Sequence, residues 1–313
     1  MEEDQAVINM SAELSRARPP LPYEARGGVL PGDAACPGCP IPIALKTLSA
    51  VFKDRAILVI PACCTSVTTG IYPGQAYRFS IVHVPFASAA TVASGIAQAL
   101  RARGVSDIHV IAWAGDGGTA DIGMAAVSGV AERNEDIIYI MYDNEAYMNT
   151  GIQRSSSTPK GAWTTTTPTG KVESKKDVAR IMISHGVPYV ATASIGYPHD
   201  LYSKLQRAKE LRGFRFIHIH APCPPGWRFE PQFTVRIAKL AVETGLFILY
   251  EYIGGKLVIS GPSRPYKDPS KRKSIEEYLK MQGRFRNITP ELIEEIKRYV
   301  DENWKWIEKM ASG

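Results

Sequence analysis

The chain has 313 residues, 45% hydrophobic and 22% charged, with a net charge of +6 and a pI of about 9.0. That is ordinary globular composition, enough for one large α/β domain or two small ones. No apolar run approaches the ~20 residues that span a bilayer, and the acidic start Met1-Glu2-Glu3-Asp4 is not the basic start of a signal peptide. A cytoplasmic location is therefore expected, with no membrane partner. The positive charge would suit an acidic partner such as a small electron carrier, or nucleic acid. No basic run is interleaved with aromatics, so a solvated basic surface is the simpler reading and no nucleic-acid partner is expected.

Residues 1–35 read as an arm, broken by Pro19, Pro20, Pro22, Gly27 and Gly28. Ile41 to Phe52 has helical spacing, and Ala56 to Ile60 is a short strand. Residues 61–87 are expected to form a long connection, which in a compact domain usually means function or a covering partner. Ser88 to Arg103 is a helix of small residues, suited to close packing against another backbone. Asp107 to Trp113 is a β-branched strand, Ala120 to Glu132 a helix with Ile122, Ala125, Ala126, Gly129 and Val130 at helical spacing, and Asp136 to Tyr142 a second apolar strand. A long Ser/Thr-rich loop follows over 152–171. Helix and strand then alternate: Lys175–His185, Tyr189–Thr192, Pro198–Leu211, Arg215–His220, Gln232–Thr244 and Leu246–Tyr252. This alternation predicts an α/β fold with a doubly wound, mostly parallel sheet. Domain limits are expected at 36–252, with a C-terminal extension over 253–313. The extension reads as irregular until Pro290 to Lys309, an amphipathic helix with Thr289 as its N-cap.

The chemistry concentrates at two strand ends. Gly115-Asp116-Gly117-Gly118-Thr119 follows the Asp107–Trp113 strand, and Asn144-Glu145-Ala146 follows the next. Ligands of open parallel sheets sit at the carboxyl edge. Glycines there allow close backbone approach, and the following helix N-terminus favours an anion such as a diphosphate. Asp116 and Asn144 offer hard oxygens to Mg²⁺, which binds one or two protein oxygens plus substrate phosphates. Thr119 reads as a phosphate donor or a helix N-cap, Asn149 as a polar group beside the substrate or a turn residue, and His83 as a buried histidine or an acid–base group.

Five cysteines, an odd number without a signal peptide, do not make a secreted disulfide framework. Cys36-Pro37-Gly38-Cys39 is a zinc clip, a pair of structural thiols, or a redox pair; no strand leads into it, which disfavours the last. Cys64 and Cys223 follow strands, so both fall on the carboxyl edge with Asp116 and Asn144. Four thiolates suit zinc or a 4Fe–4S cluster equally.

Gly115-Asp116-Gly117-Gly118-Thr119-Ala120-Asp121-Ile122-Gly123 with Tyr142-Asp143-Asn144-Glu145-Ala146-Tyr147-Met148-Asn149-Thr150-Gly151-Ile152-Gln153-Arg154-Ser155 resembles the diphosphate-binding signature of thiamine diphosphate enzymes. Over roughly residues 30–285 the chain is similar to the β subunit of a 2-oxoacid:ferredoxin oxidoreductase, most of all the pyruvate type. The resemblance implies thiamine diphosphate, with Mg²⁺ held by Asp116, Asn144 and the Ala146 carbonyl. It implies a 4Fe–4S cluster on Cys36, Cys39, Cys64 and Cys223, with Cys63 left over. It further implies oxidative decarboxylation of a small 2-oxoacid, electrons leaving singly to ferredoxin, and an activating glutamate from an α or other partner subunit. Two positions depart from the family pattern: Pro40 stands for a glycine after the C-x-x-C, and Ala62-Cys63 precede the third cysteine where a glycine is usual. Both bear on which 2-oxoacid is used, pyruvate or oxalate among them. The competing readings are a non-oxidative thiamine diphosphate decarboxylase and a four-cysteine zinc-binding interaction module.

Overall fold

The computed structural model describes residues 28–71 and 73–312. Most of the expected arm thus lies outside the described residues; what is described of it runs beside residues 76–78, with Val29 bridged to Tyr77. Eight strands form one sheet in the order β2-β1-β3-β4-β6-β5-β7-β8. These are β1 Ala56–Pro61, β2 Ser80–Val84, β3 His109–Gly115, β4 Ile138–Asp143, β5 Tyr189–Ser194, β6 Arg215–His220, β7 Tyr250–Ile253 and β8 Lys256–Ile259. The first six pair in parallel, while β7 joins β5 and β8 joins β7 antiparallel.

The sheet is covered on both faces, as the unbroken apolar strands require. Along β3, Val110, Ala112 and Ala114 enter one core and Ile111 and Trp113 the other. Helices Ala89–Ala102, Met124–Glu132, Val178–Ser184 and Pro290–Ser312 contribute to the first core. Helices Ile41–Phe52 and Pro198–Glu210 contribute to the second.

Three expectations are corrected. Residues 61–87 are not a bare connection: Cys64–Thr68 is a short helix and Ser80–Val84 is the edge strand. The helix after the glycine turn buries Val127, Val130 and Ala131, whereas Ile122 is 56% exposed. It starts at Met124 because a π-helical turn, Gly117–Asp121, intervenes and rotates the face. The extension is not irregular at its start, since Gly254 and Gly255, both at positive φ, turn β7 into β8. The terminal helix forms as expected, and the Leu292 amide donates to Thr289 Oγ1 at 3.4 Å.

Candidate cofactor and metal site

β3 and β4 are adjacent and parallel, with Gly115 opposite Tyr142. That register brings the residues just beyond them, Asp116 and Asn144, together at the carboxyl edge. Asp116 is 1% exposed. The Ser155 hydroxyl donates to its Oδ2 at 2.5 Å. Burial, and then the charge of Asp143, push its carboxyl well above the usual carboxylate range. Such a group gains most from a cation placed directly on it.

One end of the Asn144 amide lies 2.9 Å from Asp116 Oδ1 and 3.0 Å from the Ala146 carbonyl oxygen. With nitrogen at that end, the amide donates to both. With oxygen there, three hard oxygens converge. Oxygens bound side by side on an octahedral Mg²⁺ at ~2.0–2.1 Å stand about 2.9 Å apart. The residues therefore fit the ion that the sequence pattern called for.

A cleft of about 150 Å³ opens over these groups, lined by Cys64, Phe86, Gly118, Tyr147, Met148 and Asn149 among others. Gly117 is needed here, since a Cβ on it would stand 2.3 Å from the Tyr147 ring. Tyr147 is fixed in turn by donating from its hydroxyl to Asp121 at 2.8 Å. Gly115 and Gly118 lie on the same wall. Asn149 is exposed at the cleft.

Thr119 is a correction. Its side chain faces the core rather than the cleft, donating to the Gly115 carbonyl at 2.7 Å and meeting the Tyr139 hydroxyl at 3.2 Å. Nor is it an N-cap, because it sits inside the π-helical turn. His83 is neither buried nor in the cleft: it is exposed on edge strand β2.

Cys64 begins the helix after β1, and Cys223 precedes the short helix Pro224–Trp227 after β6. The Cys36–Cys39 turn packs onto the segment after Cys223, where Thr234 Oγ1 donates to the Gly38 carbonyl at 2.8 Å. Burial pushes the Cys39 thiol up to about 12, helped by the nearby Cys223 and Cys36. Burial likewise raises Cys223 to about 11, helped by Cys36. Cys64 is raised by burial and then by Cys223. Each of Cys39, Cys64 and Cys223 thus feels at least one other of the four thiols, and Cys36 acts on Cys39 and Cys223. Among the described residues, no three His, Cys, Asp or Glu side chains converge as ligands of one metal ion. Cys63 is different: its thiol is buried, and its backbone N–H and carbonyl are both engaged by Ser66 Oγ.

Behind the turn lies a network that sequence reasoning missed. Lys175 Nζ stands 2.6 Å from both Asp143 and Glu145, and His218 Nε2 is 2.7 Å from Asp143. Burial opposes ionisation of Glu145, but Lys175 and then Arg284 outweigh it and hold the carboxyl below its usual range. A cavity of about 400 Å³ adjoins this network and reaches the terminal helix. It is larger than the cleft, yet it contains none of the predicted site residues, and Lys175, Glu145 and His218 on its wall are already paired.

Residues 62–219 match the thiamine pyrophosphate enzyme C-terminal TPP binding domain, a span that contains the whole Asp116–Asn144 constellation. The chain is 48% identical over 301 residues to the ketoisovalerate oxidoreductase subunit VorB of Pyrococcus abyssi, covering 93% of this chain and 95% of that one. It is 50% identical over 276 residues to the pyruvate synthase subunit PorB of Methanothermobacter thermautotrophicus, covering 87% and 94%. Its fold is similar to that of a chain of the 2-oxoglutarate:ferredoxin oxidoreductase from Magnetococcus marinus, at a TM-score of 0.55 and 23% identity over 70% of this chain and 80% of that one. Fold and site together define a thiamine diphosphate-binding domain of an enzyme. The chain belongs to the β subunits of the 2-oxoacid:ferredoxin oxidoreductases. Among the described residues, no helix is long and apolar enough to cross a membrane.

Proposed function

We propose that this subunit binds thiamine diphosphate with Mg²⁺, supports oxidative decarboxylation of a short aliphatic 2-oxoacid, and delivers electrons through a 4Fe–4S cluster to ferredoxin. The observation that carries the reading is the convergence of Asp116, Asn144 and the Ala146 carbonyl at 2.9–3.0 Å on the edge that also bears the thiols. Thiamine diphosphate, when bound, supplies the electron sink for loss of CO₂ from a 2-oxoacid. Asp116, Asn144 and Ala146 would hold Mg²⁺ against the diphosphate, and the absence of side chains at Gly117 and Gly118 would let the phosphates approach. Asn149 offers its amide to the substrate at the cleft mouth. Cys36, Cys39, Cys64 and Cys223 ligate the cluster, an outlet for single electrons.

The cleft, at about 150 Å³, is smaller than the ~300 Å³ at which complete small-molecule pockets begin. A partner chain supplies the opposite wall. It also supplies the activating glutamate, because among the described residues no glutamate lines the cleft. Relatives of similar identity are named for pyruvate and for ketoisovalerate, which favours a substrate with a small apolar side chain. The net charge of +6 suits an acidic electron carrier.

The test is an anaerobic assay of the assembled complex with ferredoxin or viologen as acceptor. Pyruvate, 2-oxoisovalerate and oxalate are supplied separately, each with and without coenzyme A, and iron and thiamine are quantified. Acceptor reduction with a 2-oxoacid supports the reading. A complex that carries thiamine but no iron and releases CO₂ without reducing the acceptor would replace it with a non-oxidative decarboxylase.

A further inference from the structure

The metal-binding turn has an unusual backbone. Glu145, between the two proposed ligands Asn144 and Ala146, has φ +67°, a conformation non-glycine residues seldom adopt and one that persists only where the surroundings enforce it. Its own amide and carbonyl, and the carbonyl before it, are all engaged. The Glu145 amide donates to Asp143 Oδ1 at 3.0 Å, and its carbonyl accepts from Thr158 Oγ1 at 2.7 Å. The preceding carbonyl, that of Asn144, accepts from Trp227 Nε1 at 2.7 Å.

Arg284 joins the supports. It lies beyond residues 62–219, in the part of the chain outside the matched cofactor-binding domain, and is 3% exposed. Its Nη2 donates to Glu145 Oε2 at 2.6 Å and its Nε to Gln282 Oε1 at 2.9 Å. Its guanidinium lies 3.6 Å from the centre of the Trp227 ring. One planar cation thus grips the Glu145 side chain and stacks on the indole that holds the Asn144 carbonyl. A lysine could supply the charge but not both contacts, since it has neither the fork nor the flat face.

We propose that Arg284 is a positioning residue that fixes the Asn144–Ala146 turn in its metal-binding geometry, acting through Glu145 and Trp227. Because Trp227 closes the short helix begun after Cys223, its amide bonded to the Cys223 carbonyl at 2.8 Å, the same clamp ties the turn to a cysteine of the proposed cluster. Lys175 is not equivalent. It neutralises both Asp143 and Glu145 and has no contact with the indole. Outer-sphere partners that orient metal ligands contribute ~10–100-fold to affinity, which sets the size of the expected effect.

The inference rests on the Mg²⁺–thiamine reading, and the test separates the two. The assembled oxidoreductase is stripped of metal and cofactor and titrated with Mn²⁺ in the presence of thiamine diphosphate, with bound Mn²⁺ followed by electron paramagnetic resonance. Wild type, Arg284→Gln, Arg284→Lys, Trp227→Phe and the exposed control Arg103→Gln are compared. Arg284→Gln weakens Mn²⁺ binding by ~10–100-fold. Arg284→Lys recovers only part of that loss, Trp227→Phe shows a smaller loss, and the control matches wild type. Should Arg284→Gln fail to fold, Trp227→Phe carries the test, because it removes the N–H while keeping an aromatic ring under the guanidinium. Wild-type affinity in both Arg284→Lys and Trp227→Phe overturns the inference and leaves the function standing. Failure of the wild type itself to bind Mn²⁺ with thiamine diphosphate overturns the function.

Discussion

The two sides of the Asn144–Ala146 turn carry similar residues and treat them oppositely. On the inner side, Asp143 and Glu145 are matched by Lys175, His218 and Arg284. On the cleft side, Asp116 has only a hydroxyl, Ser155, and one end of the Asn144 amide beside it. A buried carboxylate without a cation is costly, and proteins keep such a group where a ligand completes it. The contrast teaches that charge at this edge does not mark the site by itself. The carboxylates paired with cations within the chain build the scaffold, and on the proposed reading Asp116, which has no such partner among the described residues, marks the chemistry.

This contrast can be broken by substitution, and the largest effect belongs to the cleft side. Asp116→Asn should abolish thiamine diphosphate-dependent turnover and weaken metal binding by more than the ~100-fold upper range of outer-sphere changes. The metal-free chain should melt no lower than wild type, since the cost of burying an ionisable carboxyl is gone; cofactor content and a melting curve read both. A drop in metal-free stability would show that Asp116 is a structural group. Next comes Cys223→Ser, which should remove the iron and the acceptor reduction while thiamine diphosphate binding persists; loss of both together would mean the thiols serve the fold.

On the inner side, Lys175→Met should lower stability by roughly 3–5 kcal/mol, the usual result of stripping the partner from a buried ion pair. Denaturant unfolding measures it, and a loss below about 1 kcal/mol would refute the division drawn here. Ser155→Ala sharpens the boundary between the sides: metal affinity should fall ~10–100-fold with stability little changed. The smallest effect is expected at Ile122→Ser, within about 0.5 kcal/mol, because that side chain lies outside the core despite its helical spacing.

Much of the site is legible in sequence because it is local. A β-branched run, a glycine turn, a helix and a second apolar run can be read off consecutive residues, and Ile41–Phe52 and Arg215–His220 form over the spans their patterns predict. Other features were readable but missed. Gly254-Gly255 between two β-rich runs is a hairpin signal, and it makes the antiparallel end of the sheet. The edge strand Ser80–Val84 is harder to find, since its burial is only partial and its partner lies in β1.

The sequence by itself determined the alternation of strands and helices and the glycine turn, and it nominated the candidate groups for a metal and a cluster. The elements and the turn depend on residues close together along the chain, whereas the candidate metal and cluster groups are named by residue type at strand ends far apart in sequence. Only the tertiary structure decided that Thr119 faces the core, that Lys175 spends its charge on Asp143 and Glu145, and that Arg284 reaches Glu145 from far along the chain. The physical reason is that pairing of buried charges depends on distance in space. Which carboxylate is paired with a cation inside the chain, and which is not, is settled only when the sheet brings its strand ends together and the C-terminal part packs behind them.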